Sequence, residues 1–210
     1  MERLDKILAG TGRWSRREVK ELVRQGRVTL DGAPAASPEQ KLEPTAADIR
    51  VDGEPVAYRR FTYILLHKPA GVLSAVEDSR QKTVLDLLPP ELRKQGLSPV
   101  GRLDKDTEGL LLLTNDGALT HRLLTPKNHV DKVYYARTEG TPTAEDAARL
   151  AQGITLPDGL RCLPAELKIC GEGEVHLTLR EGKFHPAKRM LAACGTPVVY
   201  LKRLSLGPLT

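Results

Sequence analysis

The sequence predicts an α+β fold, in which a mixed, mainly antiparallel sheet with short helices follows a small helix-led module. Three observations predict it. Apolar or β-branched runs recur at 62–67, 97–100, 110–114, 132–138, 165–169, 175–179 and 197–204, with only short helical stretches between them. That spacing disfavours a doubly wound parallel sheet. The first thirty residues carry a different pattern, two short amphipathic helices rather than strands. Ala57-Tyr-Arg-Arg60 then reads as a linker, so domains at 1–57 and 61–210 are expected. A chain of 210 residues suffices for one ordinary core plus an appended module.

Each element has a local reason. Leu4, Ile7 and Leu8 fall on one helical face, and Gly10 to Gly12 stops that helix. Ser15 starts a second helix with Glu18 three residues later, as a capping box requires, and Val19, Leu22 and Val23 form its apolar stripe before Gly26. Arg27-Val-Thr-Leu-Asp31-Gly32 reads as a strand entering a tight turn, and Ile49-Arg-Val-Asp-Gly53 as another. Past the linker, the apolar strand Thr62 to His67 is broken by the turn Lys68-Pro-Ala-Gly71. Thr83 caps a short helix through Leu87 and Leu88, which Pro89-Pro90 stops. Leu97 to Val100 enters a polar loop. Leu110 to Thr114 leaves it as a buried strand, and Ala118 to Leu124 is helical up to Thr125-Pro126. Lys132 to Thr138 has the aromatic and β-branched content of a strand. A capped helix at Thr143 to Gln152, strands at Ala165 to Ile169 and Val175 to Leu179, a helix from a His185 cap to Ala193 and a strand at Pro197 to Leu204 complete the chain.

Composition narrows the partners. The formal net charge is +5, and the surplus is local: residues 1–30 hold eight Lys or Arg against four acids, residues 31–60 four against six. On the second helix Arg17, Lys20 and Arg24 lie at i, i+3 and i+7, flanked by Arg13 and Arg27. Such a basic ridge suits an anionic partner, although a merely solvated helix face reads the same way. A second cluster, Lys183, Lys188, Arg189, Lys202 and Arg203, lies near the C-terminus. No apolar run approaches a membrane span, and Met-Glu-Arg-Leu-Asp-Lys is charged where a signal peptide turns apolar. A cytoplasmic protein with no membrane partner is therefore expected. Cys162, Cys170 and Cys194 are odd in number with no CxxC pair, which fits free thiols better than disulfides or a zinc site.

The stretch Ser98 to Gly117 carries the chemistry. Arg102, Asp104, Asp106 and Glu108 form a polar loop between Gly101 and Gly109, directly ahead of the apolar run Leu110 to Leu113. The front half matches a calcium loop, with oxygen ligands at positions 1, 3 and 5 and Gly at 6, but position 12 falls on Asn115 where a Glu is needed. A paired-carboxylate glycosidase would need a second, independently placed acid. Phosphate-loop patterns are absent. Acids that merely cap a turn fit the loop as well.

Gly101-Arg-Leu-Asp-Lys-Asp-Thr-Glu-Gly-Leu-Leu-Leu-Leu-Thr-Asn-Asp-Gly117 resembles the signature of the bacterial ribosomal RNA pseudouridine synthases of the RsuA/RluB type. Lys132-Val-Tyr134 resembles that family's second motif and Glu181-Gly-Lys-Phe-His-Pro-Ala-Lys-Arg-Met190 its third, followed by Val199-Tyr-Leu201-Lys-Arg203 as the expected strand. Residues 2–57 resemble the alpha-L RNA-binding module of a ribosomal protein, and with Lys68-Pro-Ala-Gly71 the likeness covers almost the whole chain. His121-Arg-Leu-Leu-Thr-Pro-Lys-Asn-His129 looks most like the small-subunit enzymes. Two departures stand out: Pro186 where the family usually has Gln, and an end at Thr210 where many relatives continue.

The resemblance implies an enzyme that isomerises a uridine of 16S rRNA to pseudouridine in the RNA or a small-subunit assembly intermediate, as a monomer and without a cofactor. The same reaction on 23S rRNA, or RNA binding without catalysis, would share most of these features. Asp104 is implied as the nucleophile or initiating group, whether it attacks the base, attacks C1′ or removes the C2′ proton. Lys188 is implied as its cation and Tyr134 as the residue stacked on uracil. Arg102 would fill the gap left by the flipped base or anchor a phosphate, and Leu201 would pack the pocket floor. Asp106 and Glu108 are expected to shape the loop. Arg13, Arg17, Lys20, Arg24 and Arg27 would face RNA phosphates.

Overall fold

A computed structural model describes residues 1–128, 130–182 and 185–210. His129, Lys183 and Phe184, which belong to the motifs and the C-terminal basic cluster above, lie outside the described residues. The chain forms two compact units, one made of Met1–Tyr63 with Leu85–Ser98, the other of Ile64–Val84 with Pro99–Thr210. No helix among the described residues is long and apolar enough to cross a membrane. Cys162 is buried and Cys170 exposed, and no disulfide joins the cysteines among the described residues.

The first unit opens with β1 (Glu2–Arg3), α1 (Leu4–Gly10) and α2 (Arg16–Arg24). Ser15 forms the expected capping box: its hydroxyl accepts from the Glu18 amide at 3.2 Å and the Glu18 carboxylate accepts from the Ser15 amide at 2.6 Å. Strands β2 (Val28–Leu30), β3 (Ala33–Pro34), β5 (Ile49–Val51) and β6 (Glu54–Pro55) form an antiparallel sheet, while β4 (Lys41–Leu42) pairs with β1. The core is built from the predicted apolar positions: Leu4, Ile7 and Leu8 of α1, Val19, Leu22 and Val23 of α2, and Val28, Ile49 and Val51 of the strands.

The basic ridge is less bare than its sequence suggests. Arg24 pairs with Glu21, Arg27 with Asp52, Lys20 with Glu39 at 3.8 Å and Arg13 with Glu54 at 3.5 Å. Arg17 is exposed and has no ion-pair partner among the described residues. Exposed pairs of this kind contribute little to stability, so an incoming anion can compete for their cations.

After β7 (Tyr63–Lys68), the segment Leu85–Ser98 corrects one expectation. The short helix expected there is a single 3-10 turn, Leu85–Leu87, which ends ahead of Pro89-Pro90, but the same prolines also open a second helix that was not expected. Pro90 is the first residue of α3 (Pro90–Arg93), a position where the missing N–H costs nothing.

The second unit holds β9 (Glu108–Thr114), α4 (Gly117–Leu124), β10 (Lys132–Thr138), α5 (Ala144–Ala151), β11 (Glu166–Gly171), β12 (Glu174–Leu179), α6 (Pro186–Ala193) and β13 (Val198–Leu206), with the two-residue β8 (Ser98–Pro99) before them. Its main sheet runs in the order β11, β12, β10, β13, β9, β7. Pairs β10–β12, β10–β13 and β11–β12 are antiparallel and β13–β9 is parallel, which makes the sheet mixed and mainly antiparallel as expected. Leu110 to Leu113 are all buried, so β9 loses the polar alternation of a one-sided strand. Asp116 stops the apolar run and caps α4, accepting from the Leu119 amide at 2.9 Å.

Candidate active site

The acidic loop is fixed before it reaches its carboxylates. Both bounding glycines have left-handed backbones, with φ of 75° at Gly101 and 102° at Gly109. At Gly109 a Cβ would lie 2.2 Å from the carbonyl oxygen of Arg203, its partner across the parallel β9–β13 pairing. Ser74 grips the residue ahead of Asp104: its hydroxyl donates to the Leu103 carbonyl at 2.8 Å and accepts from the Leu103 amide at 3.0 Å. The Gly71 amide donates to the Lys105 carbonyl at 2.7 Å, which ties the Lys68–Gly71 turn to the loop.

Lys68 holds the same loop from beneath. Its side chain is fully buried and its ammonium donates to the carbonyls of Pro69 at 3.0 Å, Lys105 at 3.2 Å and Thr107 at 2.8 Å. Burial pushes this ammonium below the usual lysine range, against the opposing pull of Asp106, Asp104 and Glu108. Three carbonyl partners compensate its lost hydration. In the sequence Lys68 reads only as the first residue of a turn; the one signal of its buried role is a lone Lys closing an apolar strand immediately before Pro.

Asp104 stands on this support with its side chain 22% exposed. Its two oxygens have different partners: Oδ1 lies 2.5 Å from Nδ1 of His185, and Oδ2 lies 3.4 Å from Nζ of Lys188. Lys188 also reaches Asp106 at 2.5 Å, and this contact holds the Asp106 carboxyl below the usual carboxylate range. Two expectations change here. Asp106 does more than shape its loop, because it shares the lysine with Asp104. His185 occupies the N-cap position of α6 without making a side-chain cap, and its imidazole meets the carboxylate of Asp104 instead. Glu108 accepts from the Tyr200 hydroxyl at 2.8 Å.

Tyr134 and Leu201 come from adjoining strands. Tyr134 lies opposite Arg203, and Leu201 opposite Ala136, so all four side chains share one face of the β10–β13 pair. Tyr134 and Leu201 are buried, and the register shifts between Val133 and Tyr134, a bulge of the kind that re-aims a side chain. Arg203 is 2% exposed and its Nε donates to the Leu110 carbonyl at 2.7 Å. Arg102 is exposed beside Leu103. The structure thus joins Asp104 and Lys188 directly, sets Tyr134 and Leu201 on one sheet face, and carries Arg13, Arg17, Lys20, Arg24 and Arg27 on the first unit. A carboxylate on a braced loop, gripped by two nitrogen bases, can serve as a nucleophile or a proton acceptor. Among the described residues no cluster of His, Cys, Asp or Glu is arranged to hold a metal ion.

Comparison with known proteins identifies the chemistry. The family described as RNA pseudouridylate synthase matches residues 62–193, and the S4 domain family matches residues 2–47. The chain belongs to the RNA pseudouridine synthases. This synthase is 50% identical over 209 residues to YtzG of Bacillus subtilis (strain 168), an uncharacterized RNA pseudouridine synthase, covering 98% of the chain and 87% of YtzG. It is 39% identical to ribosomal large subunit pseudouridine synthase B of the same organism, covering 97% of the chain and 84% of the relative. Identity is also 39% to ribosomal small subunit pseudouridine synthase A of Vibrio cholerae serotype O1, covering 99% and 90%. A crystal structure of a pseudouridylate synthase superposes on the synthase with a TM-score of 0.66 at 32% identity, covering 99% of this chain and 89% of that one.

Proposed function

We propose that this synthase converts one uridine of 16S rRNA, or of a small-subunit assembly intermediate, to pseudouridine through Asp104. The observation that carries the role of Asp104 is its carboxylate, braced at the loop and paired with Lys188. Isomerisation breaks the bond from C1′ to N1, turns the uracil and forms a bond from C1′ to C5. The C5 proton leaves and N1 gains one, so the overall reaction needs no redox partner. A base within structured RNA must leave its stack first. In this reading Asp104 initiates glycosidic cleavage, Lys188 sets a cation beside it, Tyr134 stacks on the uracil, Leu201 floors the pocket and Arg102 contacts RNA beside the vacated position. Residues 1–57 serve as the RNA-binding domain and 61–210 as the catalytic domain. Arg13, Arg17, Lys20, Arg24 and Arg27 meet phosphates through contacts that exchange with their present acidic partners. We assign the synthase to the cytoplasm as a monomer.

The small-subunit preference is supported by the stretch from His121 to Lys132, and the equal likeness to a large-subunit enzyme favours 23S rRNA as the second reading. Mapping pseudouridine in both rRNAs from cells lacking the gene decides between them. One missing pseudouridine in 16S rRNA is expected; its absence from 23S rRNA instead overturns the assignment. Lys188 has its own test. Lys188→Met should lower kcat on the order of 10²-fold, while Lys188→Arg, which keeps the cation, should lose much less. Steady-state rates on undermodified rRNA check both, and equal rates for the Met variant and the parent would remove Lys188 from the site.

A further inference from the structure

The proposed chemistry uses one of the two nitrogen bases on Asp104 and leaves the other unexplained. His185 sits at the start of α6 with φ 48° and ψ 46°, a left-handed backbone that is uncommon outside glycine. Pro186 follows it, and a residue before proline is pushed toward extended conformations, so the geometry is doubly unfavourable. Capping does not require it. Ser15, Asp116 and Thr143 cap α2, α4 and α5 from extended backbones, at ψ of 161°, 90° and 168°, and each accepts from an amide of its own helix. His185 makes no such cap and spends its side chain on Oδ1 of Asp104. Strained residues persist where surrounding structure holds them, and they cluster at functional sites.

We propose that His185 is a positioning residue for Asp104, fixing the orientation of the carboxylate while Lys188 supplies charge. The inference rests on the reading of Asp104 as the reacting group. Lys188 cannot hold that orientation alone, because it lies closer to Asp106 than to Asp104. An Asp with one long contact can turn about its side-chain bonds; a second contact on the other oxygen stops the turn. Either protonated imidazole or its neutral Nδ1–H form donates to the carboxylate, so the role does not depend on a change of charge. Holding the reacting oxygen in line matters because small misplacements cost rate steeply.

Steady-state kinetics of the full-length synthase on undermodified rRNA tests the proposal with four variants. Glycine adopts the left-handed backbone without a side chain, and Asn tolerates it while setting an amide N–H near the place of Nδ1. His185→Gly should lose at least about tenfold in kcat with KM for RNA nearly unchanged, and His185→Asn should recover most of that loss. His185→Asp keeps the backbone tolerance but sets a like charge against Asp104, and should be as slow as the glycine variant. A glycine variant at the parent rate overturns the proposal. So does an Asp variant as fast as the Asn variant, which decides the matter if His185→Gly does not fold. Asp104→Asn separates the two levels: its full activity would remove the underlying reading, whereas its inactivity beside a fully active His185→Gly removes this inference alone.

Discussion

Asp104→Asn should abolish turnover, with a fall of at least about 10⁴-fold, while leaving the fold and RNA affinity nearly intact. The substitution is close to isosteric. The amide oxygen can still accept from His185, and Leu103 remains pinned by Ser74, so the loop keeps its path. What disappears is the negative charge that Lys188 faces, and with it the nucleophilicity or basicity that the proposed role of Asp104 requires. Losing the carboxylate removes attraction to Lys188 as well as repulsion from Asp106, and these opposed effects should keep the stability change within about 1 kcal/mol. Tritium release from RNA labelled at C5 of uridine reads turnover directly, and a filter-binding isotherm on the same RNA reads affinity. Measurable release at the parent rate would overturn the role of Asp104 whatever the binding shows.

The largest stability effect is expected at the far end of the same loop. Gly109→Ala must place a Cβ at a backbone φ of 102° and 2.2 Å from the carbonyl oxygen of Arg203, with the Arg203 amide nitrogen at 2.8 Å. A left-handed alanine costs about 1–2 kcal/mol on its own. Neither Arg203 atom belongs to a flexible side chain, so the parallel β9–β13 pairing at Lys202 and Arg203 has to part. A total loss of about 3 kcal/mol or more follows from strain and overpacking together. For a chain of this size that lowers the melting temperature by roughly 6–12 °C. Gly117→Ala is the control. It opens α4 with nothing within 4 Å of its added Cβ, and should melt at or slightly above the parent temperature. Equal melting of the two variants would contradict the close approach at Arg203.

Much of the fold was legible because its signals are local. Ser15 with Glu18 announced α2, Thr143 announced α5, and the β-branched and aromatic run at Lys132 to Thr138 gave β10 its bounds. Asp104 and Lys188 were legible as motif positions, and their contact follows from the fold. Prolines misled where they occur in pairs, since Pro89-Pro90 suits a helix start as well as a stop. The support beneath the loop was not legible. Lys68 meets Lys105 and Thr107, and Ser74 meets Leu103, across about thirty or more positions of sequence. No periodicity reports which carbonyl a buried ammonium will find. His185 was misread for a related reason: its place at a helix start was correct, but a backbone in the left-handed region turns the side chain away from the amides that position normally serves.

The place of β13 in the sheet sets the order in which the catalytic unit can assemble during synthesis. It lies between β10 and β9, yet spans residues 198–206 and leaves the ribosome after every other strand of that sheet. Without β13 that strand order falls into two parts, β7 with β9 beside the Asp104 loop, and β10 with β12 and β11 bearing Tyr134. Domains fold as units, and this one receives its seam last. The Asp104 loop and Tyr134 therefore come to share one sheet only once β13 is in place.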